Sequence, residues 1–245
     1  MGEGSGSGSG TAFAPREDSL VSLANSGNAG LTLRTGKRIS THTYGSERCF
    51  GVSNSADLAE LLGTLARAFA EAGVRWYVFG AQAVVAYGVP RLTADVDVTV
   101  EYSVERVDEL TSLLGRHGLV PRVEDVPAFA ARTRVVPMEH PATGFPVDVV
   151  IAGPGLEEVF LARSRTLELG DLRLPFISPE DLLVSKVLAG RDKDREDVRG
   201  ILRSGESLDL SVVRETLHLL DEALDRDDLV AAFDETVRAV DDENL

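Results

Sequence analysis

An α+β fold is predicted, a small mixed β-sheet with helices on one side and a helical C-terminal region after it. Three observations predict it. Apolar residues recur at helical spacing over residues 58–69. Short apolar or alternating runs bounded by glycine and proline follow at 76–79, 94–100 and 146–151. From Ser178 onward the pattern returns to helix. The 245 residues, 43% hydrophobic and 27% charged, suffice to bury one core with a helical appendage. The expected organisation is a tail over 1–54, a sheet-bearing core over 55–177 and a helical region with an acidic end over 178–245.

Residues 1–10 are almost purely Gly and Ser, and the stretch up to Gly51 is rich in Ser, Gly, Thr and Asn without an apolar period. Such composition cannot offset its ordering entropy, so a disordered tail is expected, or an extension from a misplaced start. Ser55 or Asp57 can cap the first helix, whose apolar stripe is Leu58, Leu61, Leu62, Leu65 and Phe69, with Gly73 as its stop. Residues 76–79 read as a buried strand, and Gly80 turns the chain into a short helix over 82–87. After Gly88 and Pro90 a strand over 94–100 alternates, with Val96, Val98 and Val100 on one face and Asp95 and Asp97 on the other. A helix over 104–117 is closed by Gly118. Strands over 132–136 and 146–151 come next, the first placing Arg132 and Arg134 on one face. A strand over 173–176 leads into Ser178, a cap with Pro179 at the first helical position. That helix carries Leu182, Leu183, Val184, Lys186, Val187 and Leu188, and 194–240 reads as two or three further helices.

Composition narrows the chemistry. Cys49 is the one cysteine, so neither a disulfide framework nor a cysteine-rich zinc site can form. The four histidines, His42, His117, His140 and His218, show no ligand spacing. A metal would therefore be held by carboxylates, which suits a hard cation such as Mg²⁺. The net charge of −15 disfavours broad, non-specific nucleic-acid binding. From Asp221 onward, ten acidic residues face only Arg226 and Arg238, a net of −8, which leaves −7 on the other 220 residues. A local basic face thus stays open. No apolar stretch is long enough to span a bilayer and no signal-peptide pattern opens the chain, so a cytoplasmic protein is expected.

Three carboxylates sit between apolar residues on predicted strands: Asp95 and Asp97 in Ala-Asp-Val-Asp-Val, and Asp148 in Pro-Val-Asp-Val-Val-Ile. Residues i and i+2 of a strand share a face, so Asp95 and Asp97 can bind a common cation, and a neighbouring strand can bring Asp148 alongside. Three like charges this close repel unless a divalent ion compensates them. A solvated polar face is the alternative for any lone Asp-x-Asp. The upstream Gly80-Ala81 turn adds weight, because a glycine there lets backbone N–H groups approach a phosphate.

Phe79-Gly80-Ala81, a thirteen-residue spacer, Asp95-Val96-Asp97 and a separate Val147-Asp148-Val149 resemble the signature of the polymerase-β-type nucleotidyltransferase superfamily. The likeness runs from about Leu58 to Leu202 and is strongest to the bacterial branch of abortive-infection-type toxins and antibiotic-modifying enzymes. It implies a nucleotidyltransferase core that moves a nucleoside monophosphate from an NTP, such as ATP, with two Mg²⁺ ions on Asp95, Asp97 and Asp148. It implies that Gly80, Ala81 and Gln82 line the NTP, with Arg91 and Thr93 at the mouth of the same strand. Lys186 matches the helix lysine of toxin-type relatives, with Lys193-Asp194 as the pair after it, and would bind the triphosphate during catalysis. A lysine snorkelling from the edge of the core is the alternative. Ala81 departs from the usual Gly or Ser and offers no hydroxyl to a phosphate. Arg91 either grips the triphosphate or orients the aspartates, and Asp194 and Asp197 position the helix through Arg191 or Lys193. Arg122, Arg132, Arg134, Arg163 and Arg165 are candidates for an RNA-acceptor groove, a solvated charged face being the alternative. The resemblance also implies an RNA acceptor, tRNA included, or a protein acceptor, with an antitoxin as partner. An antibiotic-modifying enzyme and a non-catalytic nucleotide-binding module are the alternatives.

Overall fold

The structure, a computed structural model, describes residues 52–93 and 95–243. The expected tail over 1–54 lies outside the described residues except for its last three, which are already helical. Helix α1 spans Val52–Ala72, so it begins earlier than expected and positions 55 and 57 fall within it. It buries Leu61, Leu62, Leu65, Ala68 and Phe69 and stops at Gly73, whose φ of 63° suits a glycine. The Phe69 ring then meets Trp76 of the first strand, with centroids 5.1 Å apart.

Seven strands form one mixed sheet in the order β3-β4-β5-β2-β1-β7-β6. They are β1 (Trp76–Phe79), β2 (Val96–Val100), β3 (Val120–Pro121), β4 (Val135–His140), β5 (Phe145–Ile151), β6 (Arg165–Leu169) and β7 (Leu172–Phe176). At the centre β1 runs antiparallel to β2 and parallel to β7, while β2 runs parallel to β5. Val96, Val98 and Val100 are fully buried, as are Val147, Val149 and Ile151. Both central strands therefore press one apolar face into the core, by the alternation the sequence predicts. The edge strands β3 and β6 were not expected. β6 is largely exposed and β3 has two residues, so neither carries a burial pattern.

Short helices thread between the strands: α2 (Gly80–Ala86), α3 (Val107–Arg116), α4 (Val126–Thr133) and α5 (Leu156–Arg163). Helix α4 overturns the strand expected from residue 132. Asp125 caps it by accepting from the Ala128 N–H at 2.9 Å, Pro127 occupies its first turn, and Arg134 ends it at φ 56°. Arg132 thus lies in a last helical turn, and Arg134 donates to the carbonyls of Ile151 and Ala152 at 3.0 and 2.5 Å. They share no strand face.

The chain closes with four helices, α6 (Pro179–Ala189), α7 (Asp192–Arg203), α8 (Leu210–Ala223) and α9 (Leu229–Glu243). Ser178 caps α6 as expected, its hydroxyl accepting from the Asp181 N–H at 3.1 Å. The Asp221 carboxylate takes the Leu229 and Val230 N–H groups at 3.1 and 3.2 Å, which fastens α9 to α8. Among the described residues no helix is long and apolar enough to cross a membrane.

Candidate active site

The site is assembled where β1 ends. Phe79 pairs with Asp97 across the antiparallel ladder, and Gly80 leaves the strand at φ 65° to open α2. A Cβ built on Gly80 would stand 2.1 Å from Asp97 Oδ2 and 3.0 Å from its Cγ. Two independent constraints therefore demand glycine, the left-handed backbone and the carboxylate lying against its Cα. Ala81 and Gln82 follow on α2, both buried.

In the parallel ladder Asp97 is the register partner of Asp148. Neighbouring strands stand about 4.8 Å apart, and register partners project to the same face. The two carboxylates, 51 positions apart in the chain, are thus next to each other. Asp95 lies one residue before β2 begins, so it does not share a strand with Asp97. Its position is set by hydrogen bonds instead. Thr93 donates from its hydroxyl to Asp95 Oδ1 at 2.8 Å, and the Gln82 amide donates to the Asp95 carbonyl at 3.1 Å. Gln82 and Thr93 hold Asp95 in place.

Asp97 and Asp148 both lie in the field of neighbouring acids. Burial pushes Asp97 up to about 8, the charges on Asp95 and Asp148 push the same way, and Lys186 and Arg191 pull back. Burial also raises Asp148, which Arg122 pulls down and Asp95 pushes up. An all-oxygen donor set of this charge fits a hard divalent cation. As the side chains stand, no group of three or more acid, His or Cys residues among those described closes on a common point. The Arg122 guanidinium pairs with Asp148, and the Thr93 hydroxyl donates to Asp95.

Beside Asp97 lies a second charged group. Lys186 Nζ, on a side chain only 7% exposed, stands 2.8 Å from Asp197 Oδ2 and 3.1 Å from Asp194 Oδ1. Arg191 also grips Asp194, and Arg91 pairs with Asp197. Burial alone would raise Asp194, yet Arg191 and Lys186 hold it below the usual carboxylate range. Lys186 therefore does not snorkel; its ammonium is buried and paired. Arg91 pairs with Asp197 and not with Asp95 or Asp97, so it does not orient those aspartates through an ion pair. Among the described residues Lys186, Arg91 and Arg191 share two anions, Asp194 and Asp197, so this group carries a net positive charge of one. Close packing sets this arrangement: a Cβ on Gly200 of α7 would come within 2.6 Å of Val89, so the loop carrying Arg91 is seated directly on that helix.

The five arginines considered for an acceptor groove disperse. Arg163 pairs with Asp181 at 3.1 Å, Arg165 with Glu180 at 2.8 Å, and Arg134 binds backbone carbonyls. Arg132 is exposed on α4, and only Arg122 reaches the acidic cluster. Sequence reasoning missed the Arg122–Asp148 and Arg91–Asp197 pairs, because their partners lie 26 and 106 positions away and no local pattern links them.

The site thus lies in a mixed sheet whose central strands carry in-register carboxylates against a glycine turn. The family model described as "Nucleotidyltransferase of unknown function (DUF6036)" matches residues 58–240, and the chain belongs to that family. Among solved structures the chain is similar to the antibiotic-resistance factor ANT(2'')-Ia, at 16% identity and a TM-score of 0.46 over 78% of this chain and 98% of that one. It is also similar to an antigenic nucleotidyltransferase-like protein from Paracoccidioides brasiliensis, at 18% identity and a TM-score of 0.44 over 74% and 93% of the two chains. A third is the lincosamide antibiotic adenylyltransferase LnuA, at 16% identity and a TM-score of 0.42 over 60% and 96%. No curated protein sequence matches.

Proposed function

We propose that the chain transfers a nucleoside monophosphate from an NTP to a hydroxyl of an RNA or protein acceptor, with Asp95, Asp97 and Asp148 holding magnesium. The observation that carries this reading is the pairing of Asp97 with Asp148 in register, with Asp97 lying against Gly80. In the reaction the acceptor oxygen bonds to the α-phosphorus, the bond from that phosphorus to the bridging oxygen breaks, and pyrophosphate leaves. The hydroxyl proton passes to Asp148, the carboxylate farther from the glycine turn. The Gly80 turn, with the N–H groups of Ala81 and Gln82, faces the phosphates, and the net positive charge of the group around Lys186, Arg91 and Arg191 balances the leaving pyrophosphate. When bound, magnesium supplies neutralisation of the carboxylates and polarisation of the phosphoryl oxygens.

The resemblance to toxin-type enzymes supports an RNA or protein acceptor over an antibiotic, and with it a controlling antitoxin. The net charge of −15 gives no support to broad nucleic-acid binding, so recognition of an RNA would be local. The test is an incorporation assay in which each labelled NTP is offered with magnesium alongside total RNA, cell protein and an antibiotic panel. Label in RNA or protein that is lost with Asp97→Asn upholds the proposal. Label in an antibiotic would replace the acceptor class, and no label anywhere would point to a binding module.

A further inference from the structure

Arg122 follows the edge strand β3 and crosses over β4 to reach β5. Its backbone N–H donates to the Pro137 carbonyl at 2.9 Å and its Nε–H to the Met138 carbonyl at 2.8 Å, while its terminal nitrogen pairs with Asp148 Oδ1. Pro137 is itself the register partner of Asp148. The guanidinium is therefore anchored on one side by backbone and aimed on the other at one acid of the cluster. Across the sheet the order is Arg122, Asp148, Asp97 and Gly80, which puts Arg122 on the flank away from the glycine turn.

We infer that Arg122 is a built-in counter-cation for Asp148, a positioning residue that competes with a divalent ion for that carboxylate and sets the affinity of the site. This rests on the metal-site reading above. Without compensation, Asp148 would face Asp95 and Asp97 across a short distance at a partly desolvated position, and the arginine offsets that repulsion. A divalent ion on the same carboxylate brings a second cation close to the first, and the two repel. Arg122 has somewhere to go, because its side chain is 34% exposed whereas that of Asp148 is 17% exposed. Swinging away sacrifices the Met138 contact and the ion pair but leaves the backbone bond to Pro137 intact. Asp148 thus alternates between an arginine partner and a metal partner, and the arginine is ready to reclaim it when the ion leaves.

The experiment measures Mn²⁺ binding to the full chain, without nucleotide, by loss of the free-ion EPR signal. The expected result is tighter binding by Arg122→Ala than by the parent, by roughly tenfold for the loss of one competing charge-assisted contact. Arg122→Gln retains an N–H for Met138 without the charge and should tighten binding similarly, so it carries the test if the alanine variant does not fold. A merely structural role would move affinity the other way, since a loosened site binds less well. Unchanged or weaker Mn²⁺ binding by the folded variants, with the parent still binding, overturns the inference about Arg122 alone. Parent binding that is unaffected by Asp97→Asn and Asp148→Asn overturns the metal site beneath it, and the inference falls with it.

Discussion

Replacing Gly80 with alanine gives the most direct check on how the site is built. The residue sits at φ 65°, and left-handed backbone costs an L-residue roughly 1–2 kcal/mol. The new methyl would also meet Asp97 Oδ2 at 2.1 Å, Cγ at 3.0 Å and Cβ at 3.1 Å, so the aspartate must move. Forcing a packed side chain aside adds about 1–3 kcal/mol, for a total of roughly 2–5 kcal/mol. The two contributions separate in a double-mutant cycle. In an Asp97→Ala background the carboxylate is gone and only the tight Cβ contact at 3.1 Å remains, so Gly80→Ala should cost about 1–2 kcal/mol there. Urea unfolding of the four proteins, without metal, measures the coupling, which should exceed about 1 kcal/mol. A shift of Asp97 by an ångström should also lower nucleotidyl transfer by about a hundredfold in Gly80→Ala. Equal costs of the substitution in both backgrounds would refute the argument that Asp97 lies against the glycine turn.

Further outcomes follow from the buried charges. At pH 9 (about a unit above the titration of Asp97), Asp97→Asn should raise the melting temperature of the metal-free protein, because burial pushes the parent's carboxyl up to about 8 and above it the charge stands desolvated next to Asp95 and Asp148. It should also abolish the stabilisation that magnesium with NTP gives the parent. Lys186→Met should destabilise the fold by about 1–3 kcal/mol in chemical denaturation, since it removes the ammonium that Asp194 and Asp197 share and leaves them to Arg191 and Arg91 alone. Glu157 is fully buried, neither of its oxygens makes a hydrogen bond of ordinary geometry, and burial pushes it up to about 8 against its own and the Gly153 backbone N–H. Because the folded state holds this proton more tightly than the unfolded one, stability contributed by the neutral acid is lost as pH rises from the ordinary carboxylate range to about 8. Thermal melts at pH 5 and pH 9 (about the two ends of that window) should show Glu157→Gln gaining on the parent at the higher pH, and a gap that does not widen would refute it. Ser178→Ala should cost about 1 kcal/mol by removing the cap of α6.

The acids proposed for the site stand out in the sequence because their signal is local. Val96, Val98 and Val100 alternate with charged or polar neighbours, and the positions of Gly80 and Lys186 fit a known spacing, so neighbours along the chain carried the inference. Ser178 with Pro179 announced α6 for the same reason, since a cap and a first-turn proline act within one turn. Where the reading went astray, at Arg132 and Arg134, the local signal was present but unread: Asp125 and Pro127 open a helix with the same cap-and-proline grammar. Strands β3 and β6 left no such trace, because an exposed edge strand has no apolar face to alternate.

Sequence alone therefore determined which residue types could do this chemistry and which backbone positions needed glycine, since these follow from side-chain chemistry and nearest-neighbour geometry. Tertiary structure decided the rest. It put Asp97 beside Asp148, Arg122 onto Asp148, and Arg91 and Lys186 onto Asp197. Those partners are set by strand order and helix packing, which depend on how distant segments bury their apolar faces together. Charge pairing across such distances follows from that burial and leaves no periodicity in the chain.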